Sequence, residues 1–221
     1  MGRIEFDKKH VELLRCFRSL VNCGLVGWRY AIIGSTRRSS DSWECQELLR
    51  ELARGYPVDL LFDLDFSELR SILERAALFW HAKGFGVVDV TRNPEEMEHF
   101  GIAPAEAMAA GCVPLVFHGG GLPEIVDHGS NGMLWKDLEE LKALTLAVIR
   151  DPERRSSMSE RARAKASLFS KERFLESFSE ITRRVMGLEL RTSASGSFPK
   201  TIGPGRPEKD RASQSHSCAE P

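Results

Sequence analysis

Apolar runs of strand length alternate with segments of helical periodicity along residues 1–186 of this 221-residue chain. The runs are apolar throughout, which is typical of parallel strands that are covered on both faces of a sheet. Predicted strands lie at residues 28–33, 57–62, 77–80, 113–117 and 133–135. Predicted helices lie at residues 8–21, 41–54, 66–76, 104–110, 122–126, 138–150, 153–169 and 171–186. This order predicts an α/β fold with a Rossmann-like parallel sheet and helices on both faces.

The last segment of the chain, residues 187–221, differs from the rest in composition. Its large apolar residues are Leu188, Leu190, Phe198 and Ile202. A segment of this kind buries too little apolar surface to offset the entropy that is lost when it becomes ordered. The sequence therefore predicts one folded domain over residues 1–186 and a disordered tail over residues 187–221.

Net charge and cysteine content narrow the class of function. The chain has 31 Lys and Arg against 32 Asp and Glu, a net charge of −1, which lacks the basic excess typical of a nucleic-acid-binding protein. Its five cysteines are odd in number and include no C-x-x-C pair, which argues against a zinc site or a disulfide scaffold. These observations predict a cytoplasmic protein with no nucleic-acid partner, and they leave open a peripheral position at the inner membrane surface.

The longest predicted stretch without regular structure is residues 83–100, directly after a predicted strand. In open parallel sheets, ligands bind beyond the carboxyl ends of the strands. Loops of this length in compact domains commonly carry function. We therefore expect the binding site in this loop and in the helix that follows it.

The segment at residues 98–111, EHFGIAPAEAMAAG, contains the strongest site signal. A glycine and small residues lead into a helix with Pro104 in its first turn, a position that proline favours. The amides of residues 100–103 would project from the helix N-terminus towards a phosphate or a sugar hydroxyl. Glu98 and Glu106 bracket this position, and carboxylates accept hydrogen bonds from vicinal sugar hydroxyls. The alternative for Glu106 is an ordinary first-turn glutamate that stabilises the helix dipole.

Two basic residues flank the start of the first predicted helix. Arg3 and Lys8 together can neutralise a diphosphate, with the arginine supplying a planar pair of donors. The alternative is that both are solvated surface charges.

A D-x-D sequence occurs at Asp63 and Asp65, a form that some transferases use to hold a metal ion. Here it lies in a predicted strand-to-helix turn, where aspartates commonly cap helices and stabilise turns. The position favours the capping interpretation.

In their order along the chain, these motifs resemble the family 4 glycosyltransferases, which are retaining enzymes of the GT-B fold. The hallmark here is Glu98, seven intervening residues and Glu106, within EHFGIAPAEAMAAGCVPLVFHGGGLPEIVDHGSNGMLW. The resemblance extends upstream to WHAKGFG at residues 80–86 and to GRIEFDKKHVELLRCF at residues 2–17. It covers residues 2–180, and it implies that the chain is the C-terminal, donor-binding half of a GT-B fold.

The resemblance also implies roles for the matching residues. Arg3 and Lys8 match the basic pair that holds the donor diphosphate, and Glu98 matches the catalytic glutamate that faces the transferred sugar. Glu106 matches the residue that binds the nucleotide ribose. Backbone contacts to sugar and phosphate are implied for Phe100, Gly101 and Ile102. The nucleotide base falls beside residues 58–64, where no distinctive motif occurs.

The implied activity is that of a hexosyltransferase, which moves a sugar from a nucleotide sugar to an acceptor hydroxyl with retention. The acceptor would be a glycan, a lipid or another hydroxyl compound, in the synthesis of cell-surface polysaccharide or glycoconjugate. The resemblance implies no metal and no cofactor, since cationic side chains and a helix N-terminus offset the charge on the leaving diphosphate.

One departure from the family concerns the amino-terminal side. GT-B enzymes have two Rossmann-like domains, and this chain begins almost at the Gly2-Arg3 of the second. In the strand order 3-2-1-4-5-6, the strand that leads into Gly2-Arg3 is central, so its loss leaves the second and fourth strands without a shared partner. We therefore expect a fragment: either a subunit that needs a separate acceptor domain, or a truncated and inactive nucleotide-sugar-binding remnant. A nucleotide-sugar epimerase is disfavoured, because no acidic and histidine groups stand out for proton abstraction.

Overall fold

A computed structural model of the chain describes residues 1–186, so the predicted disordered tail at residues 187–221 lies outside the described residues. The strands are β1 (Gly2–Arg3), β2 (Tyr30–Ser35), β3 (Val58–Phe62), β4 (Leu78–His81), β5 (Val113–Phe117) and β6 (Met133–Trp135). The helices are α1 (His10–Asn22), α2 (Ser40–Ala53), α3 (Phe66–Arg75), α4 (Ile102–Ala110), α5 (Leu122–Ile125), α6 (Leu138–Arg150), α7 (Pro152–Ala166) and α8 (Lys171–Met186). Met1–Ser179 form one compact unit, and Glu180–Pro221 form a second, of which only residues 180–186 are described.

All strand pairs are parallel, and they form two three-stranded sheets with the orders β1-β2-β3 and β4-β5-β6. This arrangement is the α/β fold that the sequence predicts, except that Gly2–Arg3 form a short strand of their own. In β1, Gly2 lies opposite Gly34 and Arg3 lies opposite Ser35. Within the described residues, no strand joins β2 to β4.

Two aromatic groups build the core on one side of the sheets. Phe17 of α1 packs on Tyr30 of β2 with ring centroids 5.3 Å apart, and Tyr30 packs on Trp80 of β4 at 5.4 Å. Side chains therefore bridge the two sheets where the backbone does not. The second group brings Phe117 and the fully buried Trp135 to 5.4 Å. Large aromatic side chains of this kind dominate the energetics of a core.

Aspartates at helix starts explain several boundaries. Asp65 accepts a hydrogen bond from the Glu68 amide, and the Glu68 side chain accepts one from the Asp65 amide, which is a complete capping box. The capping interpretation of Asp65 is therefore confirmed. Asp137 and Asp151 cap α6 and α7 by accepting single hydrogen bonds from the amides of Glu140 and Arg154. None of the helices in residues 1–186 combines the length and apolarity that a membrane crossing requires.

Candidate donor-binding site

A cavity of about 490 Å³ opens at the carboxyl ends of β1, β2, β3 and β4. This is the edge at which parallel sheets of this type bind ligands. Residues 34–35 at the end of β2 and residues 63–64 directly after β3 form part of its wall. Of the predicted site residues, the cavity is lined by Arg3, Lys8, Glu98, Ile102 and Glu106. The fold thus brings together residues that lie more than a hundred positions apart in the sequence, such as Arg3 and Glu106.

Two of the predicted site residues, Phe100 and Gly101, do not line the cavity. Phe100 is 45% exposed and its ring packs edge-on against Phe169, with centroids 5.4 Å apart. Gly101 has a φ of 95° and caps α4, where an added Cβ would lie 3.0 Å from Leu122 Cδ2. Both residues shape the turn that leads into α4.

Helix α4 begins at Ile102, two residues earlier than the sequence predicts. Gly101 adopts a left-handed conformation that starts the helix at that point, which glycine does without a steric penalty. Pro104 is therefore the third helical residue, and Glu106 lies beyond the first turn. The helix dipole acts mainly within the first turn, so the alternative role of Glu106 as a glutamate that stabilises the dipole is poorly supported. The amides of Ile102 and Ala103 are the ones left without intrahelical partners at the cavity.

Glu98 is held by an imidazole and an ammonium group. Its Oε2 lies 3.1 Å from Nε2 of His81 and 3.7 Å from Nζ of Lys8. His81 ends β4 and is buried, and burial lowers its pKa, so the neutral ring donates Nε2–H to the carboxylate. The hydrogen bond from His81 is the main cause that lowers the pKa of Glu98 to about 2. Glu98 is therefore ionised at neutral pH.

Two further residues of the site, His81 at the end of β4 and Lys83 in the loop that follows, are not among the residues predicted from the sequence. Nζ of Lys83 lies 3.5 Å from Oδ2 of Asp7, and Arg3 reaches the same carboxylate oxygen at 3.4 Å. The charge of Lys83 also contributes to the lowered pKa of Glu98. The signal that points to both residues is their position at and just after the carboxyl end of β4, where ligands bind.

The glycine loop at residues 118–123 packs directly against the backbone around Glu98. The amide of Gly121 donates to the carbonyl oxygen of Glu98 at 2.8 Å. A Cβ added at Gly120 would lie 2.1 Å from that oxygen, and one at Gly121 would lie 2.0 Å from the carbonyl oxygen of His99. Only glycine allows so close an approach of two backbones, so this loop fixes the position of Glu98.

The other end of the cavity carries a carboxylate without a partner. Within the described residues, Glu106 makes no hydrogen bond and no ion pair, and burial raises its pKa. Its oxygens are therefore free to accept hydrogen bonds from hydroxyl groups of a ligand.

Asp63 closes this end of the cavity by joining two loops. It accepts hydrogen bonds from the amide of Thr36 at 2.8 Å and from its hydroxyl at 2.6 Å, with a left-handed φ of 55°. In the part of the chain that the structure describes, no group of three or more His, Cys, Asp or Glu has the arrangement of a metal site. Asp63 is thus hydrogen-bonded to Thr36, and Asp65 caps α3.

The sequence profile described as "Glycosyl transferases group 1" matches residues 1–165. Curated relatives include the GDP-Man:Man(3)GlcNAc(2)-PP-Dol alpha-1,2-mannosyltransferases of Homo sapiens, 29% identical over 191 residues, and of Dictyostelium discoideum, 24% identical over 173 residues. The alignments cover 80% and 76% of this chain but 36% and 32% of the relatives. The chain therefore spans about a third of the length of the curated relatives that it matches.

Three solved structures have the same fold at low sequence identity. The C-terminal domain of the glycosyl transferase group 1 family protein LpcC from Francisella tularensis has a TM-score of 0.60 and 19% identity, over 76% of this chain and 82% of that domain. Sucrose-phosphate synthase from Thermosynechococcus elongatus has a TM-score of 0.67 and 19% identity, over 85% of this chain and 45% of that protein. Anabaena HepE in complex with UDP has a TM-score of 0.63 and 21% identity, over 85% of this chain and 48% of that protein. With this GT-B glycosyltransferase fold and a profile match over most of its length, the chain belongs to the glycosyl transferases group 1 family.

Proposed function

We propose that this chain is the donor-binding part of a retaining glycosyltransferase that transfers a sugar from a nucleotide sugar to an acceptor hydroxyl. The observation that carries the proposal is that one cavity joins the basic residues Arg3 and Lys8 to the unpartnered carboxylate of Glu106. A nucleoside diphosphate offers the complement of this arrangement, with negative charge at one end and the vicinal ribose hydroxyls at the other.

The donor diphosphate binds between the basic residues and the start of α4. Arg3 supplies a planar pair of donors and Lys8 a point charge, while the free amides of Ile102 and Ala103 add the positive end of the helix dipole. These groups offset the charge that develops on the leaving diphosphate, which is the main electrostatic demand of the transfer. No metal is needed for this role in our proposal, and we expect donor binding to be unchanged by EDTA.

The sugar and the nucleoside extend in opposite directions from the diphosphate. The transferred sugar faces Glu98, whose ionised carboxylate accepts hydrogen bonds from sugar hydroxyls while His81 and Lys8 hold it in place. The ribose binds Glu106, and the base lies beside Asp63 and Leu64 at the far wall. Glu98 is the residue that we assign to catalysis.

The relatives suggest which donors and acceptors to test first. GDP-Man and Man(3)GlcNAc(2)-PP-Dol are named for the mannosyltransferases, and HepE has been solved with UDP-glucose. We therefore place GDP-mannose and UDP-glucose first among the donors. The acceptor class is a lipid-linked or free glycan in glycoconjugate or polysaccharide synthesis, with a lipid-linked acceptor drawing the protein to a membrane surface.

Donor binding is tested by thermal unfolding of the chain with each nucleotide sugar. A donor at about 100 times its Kd adds about 2.7 kcal/mol, which is a shift of several degrees for a domain of this size. Glu106→Ala is expected to weaken binding by about 1–3 kcal/mol, or roughly 5- to 150-fold, because ribose hydroxyls lose a charged acceptor. The matched control is Glu160→Ala, an exposed glutamate of α7, which should bind donor like the parent. Equal affinities for Glu106→Ala and the parent would contradict the ribose assignment.

The alternative function is nucleotide-sugar binding without turnover, either in a subunit that acts beside a separate acceptor domain or in an inactive remnant. It is motivated by the donor cavity, which the described residues form without any group that is assigned to an acceptor. We expect the purified chain to be stabilised by a donor and to transfer no sugar. Transfer of labelled sugar to any acceptor would contradict this alternative. An epimerised sugar in the nuclear magnetic resonance spectrum of the incubated donor would instead indicate a nucleotide-sugar epimerase.

A further inference from the structure

A second buried histidine contacts the backbone of Arg3 from the start of α1. His10 is the first residue of this helix and is 4% exposed. Side chains in a helix point back towards its N-terminus, so the imidazole of His10 reaches over the turn that precedes α1. Its Nε2 lies 3.1 Å from the carbonyl oxygen of Arg3, seven positions earlier in the chain. The donor contacts proposed for the cavity do not involve this imidazole.

The chemistry of the two groups determines the direction of this hydrogen bond. A carbonyl oxygen accepts and cannot donate, so Nε2 of His10 carries the proton. Burial lowers the pKa of His10 to about 3, and the positive end of α1 also disfavours an imidazolium. The ring is therefore neutral at neutral pH, in the tautomer with its proton on Nε2. The imidazole acts as a fixed hydrogen-bond donor.

The peptide group between Arg3 and Ile4 is held from two sides. Its amide, which belongs to Ile4, donates to the carbonyl oxygen of Ser35 at 2.9 Å. Its carbonyl, which belongs to Arg3, accepts from His10. The amide and the carbonyl of a trans peptide group point in opposite directions. Strand β2 and helix α1 therefore fix the orientation of this peptide group together.

Strand β1 alone is a weak anchor for the chain at Arg3. It has two residues, and the chain then turns into a short 3-10 helix at Phe6–Lys8. Lys9, which joins this turn to α1, has a left-handed φ of 59°. A residue other than glycine keeps such a conformation when the surrounding contacts enforce it. The hydrogen bond from His10 to Arg3 joins the two ends of this turn and is one such contact.

The direction of the Arg3 side chain depends on this peptide group. Nη1 of Arg3 lies 3.2 Å from Oε2 of Glu5, and Nη2 lies 3.4 Å from Oδ2 of Asp7. Both carboxylates belong to the same turn, so a shift of the turn moves them together with the arginine. Ion pairs of a partly exposed side chain fix its position weakly. The backbone is therefore the fixed point from which Arg3 reaches the donor cavity.

We propose that His10 is a positioning residue of the donor site, whose Nε2–H holds the Arg3 carbonyl and thereby directs the Arg3 guanidinium into the donor cavity. This inference rests on the proposed function, in which Arg3 contacts the donor diphosphate. His10 acts on the backbone of Arg3 as His81 acts on the carboxylate of Glu98. Its effect on the donor passes through Arg3.

The proposal is tested by calorimetric titration of UDP and of GDP into the parent chain and into variants of His10. Leucine has a similar volume but no donor, whereas the amide of glutamine can donate in place of Nε2–H. We expect His10→Leu to weaken nucleotide binding about fivefold to tenfold, less than Arg3→Ala does, and His10→Gln to stay within about twofold of the parent. The matched control is Thr145→Val, which removes a buried hydroxyl that donates within α6 at 2.7 Å. It should bind nucleotide like the parent.

A double-mutant cycle separates positioning from a general role in the fold. In the Arg3→Ala background, His10→Leu should change nucleotide affinity by less than about twofold, because the side chain that His10 directs is absent. A purely structural role would give the same loss with and without the arginine. Equal losses in the two backgrounds, equal losses for the leucine and glutamine variants, or parent-like binding by His10→Leu would each overturn the proposal.

Two readouts need no nucleotide, so they distinguish this inference from the proposed function. Nuclear magnetic resonance of the imidazole nitrogens in the parent chain should show the proton of His10 on Nε2, and a proton on Nδ1 would overturn the hydrogen bond. Amide exchange at Ile4 should accelerate about tenfold or more in His10→Leu but not in His10→Gln, and an unchanged rate would overturn the hold on this peptide group. If the parent bound neither nucleotide while both readouts were as expected, the donor-binding function would fail and the hold of His10 on Arg3 would stand.

Discussion

Replacing Gly121 with alanine is expected to lower the free energy of unfolding by about 3 kcal/mol and to abolish measurable donor binding. The new Cβ would lie 2.0 Å from the carbonyl oxygen of His99, a backbone atom that cannot rotate away. Gly121 has a φ of −79° and a ψ of −3°, which alanine adopts freely, so the cost is steric and not conformational. Relief of the contact must push the two loops apart, which breaks the hydrogen bond from Gly121 to Glu98 and moves Glu98 in the site.

The matched control is Gly129→Ala, in a turn away from the donor cavity. Gly129 has a φ of 79° and open space around its Cα, so alanine there meets conformational strain but no contact. We expect a loss of about 1–2 kcal/mol and a donor affinity equal to that of the parent. Urea unfolding gives the stability of each variant, and the donor-dependent shift in melting temperature gives its binding. A Gly121→Ala chain with the stability and donor response of the parent would show that the glycine loop does not position Glu98.

The sequence predicts the elements best where the signals are local. Strands β5 and β6 and helix α6 agree with the predicted ranges because each is an apolar run or an amphipathic segment. Asp137 adds a cap at the start of α6, as Asp65 does for α3. Helix α4 is predicted two residues late, because its start depends on the left-handed backbone of Gly101, which periodicity does not report.

The residues of the site also fall into two groups: those that a local sequence motif predicts, and those that only the folded structure identifies. Arg3, Lys8, Glu98 and Glu106 belong to motifs with fixed spacing, and the structure brings all four to one cavity. His81 reaches Glu98 across 17 positions, through a loop whose path no local pattern specifies. The roles of Lys83 and of the glycine loop cannot be predicted from the sequence for the same reason, because they depend on contacts that exist only after the sheet is assembled.

The free energy of unfolding is expected to fall as the pH is lowered from about 4.5 towards 2, and Glu98 should account for a large part of the loss. The pKa of Glu98 is lowered from 4.5 to about 2 in the folded protein. A lowered pKa means that the stabilisation is complete above pH 4.5 and disappears as the pH falls through 2. The shift corresponds to about 3 kcal/mol at most, since one pKa unit is about 1.4 kcal/mol.

Glu98→Gln is expected to reduce the difference in unfolding free energy between pH 6 and pH 2.5 by about 2 kcal/mol, because glutamine does not titrate. Urea unfolding across this pH range measures the difference. The matched control, Glu160→Gln on the exposed face of α7, should keep the acid profile of the parent. Superimposable profiles for Glu98→Gln and the parent would contradict the lowered pKa that we assign to Glu98.

His81→Phe separates the hydrogen bond from the other charges that act on Glu98. Phenylalanine keeps an aromatic ring beside Phe79, on which His81 stacks at 6.4 Å, but it cannot donate to the carboxylate. Lys8 and Lys83 remain, so the pKa of Glu98 should rise from about 2 and still lie below its ordinary value. The acid loss of stability should then begin at the same pH of about 4.5, which the unfolded chain sets, end at a higher pH than in the parent, and be smaller in total. If the profile of His81→Phe matched that of the parent instead, the basic residues alone would hold the carboxylate, and His81 would serve only as part of the core.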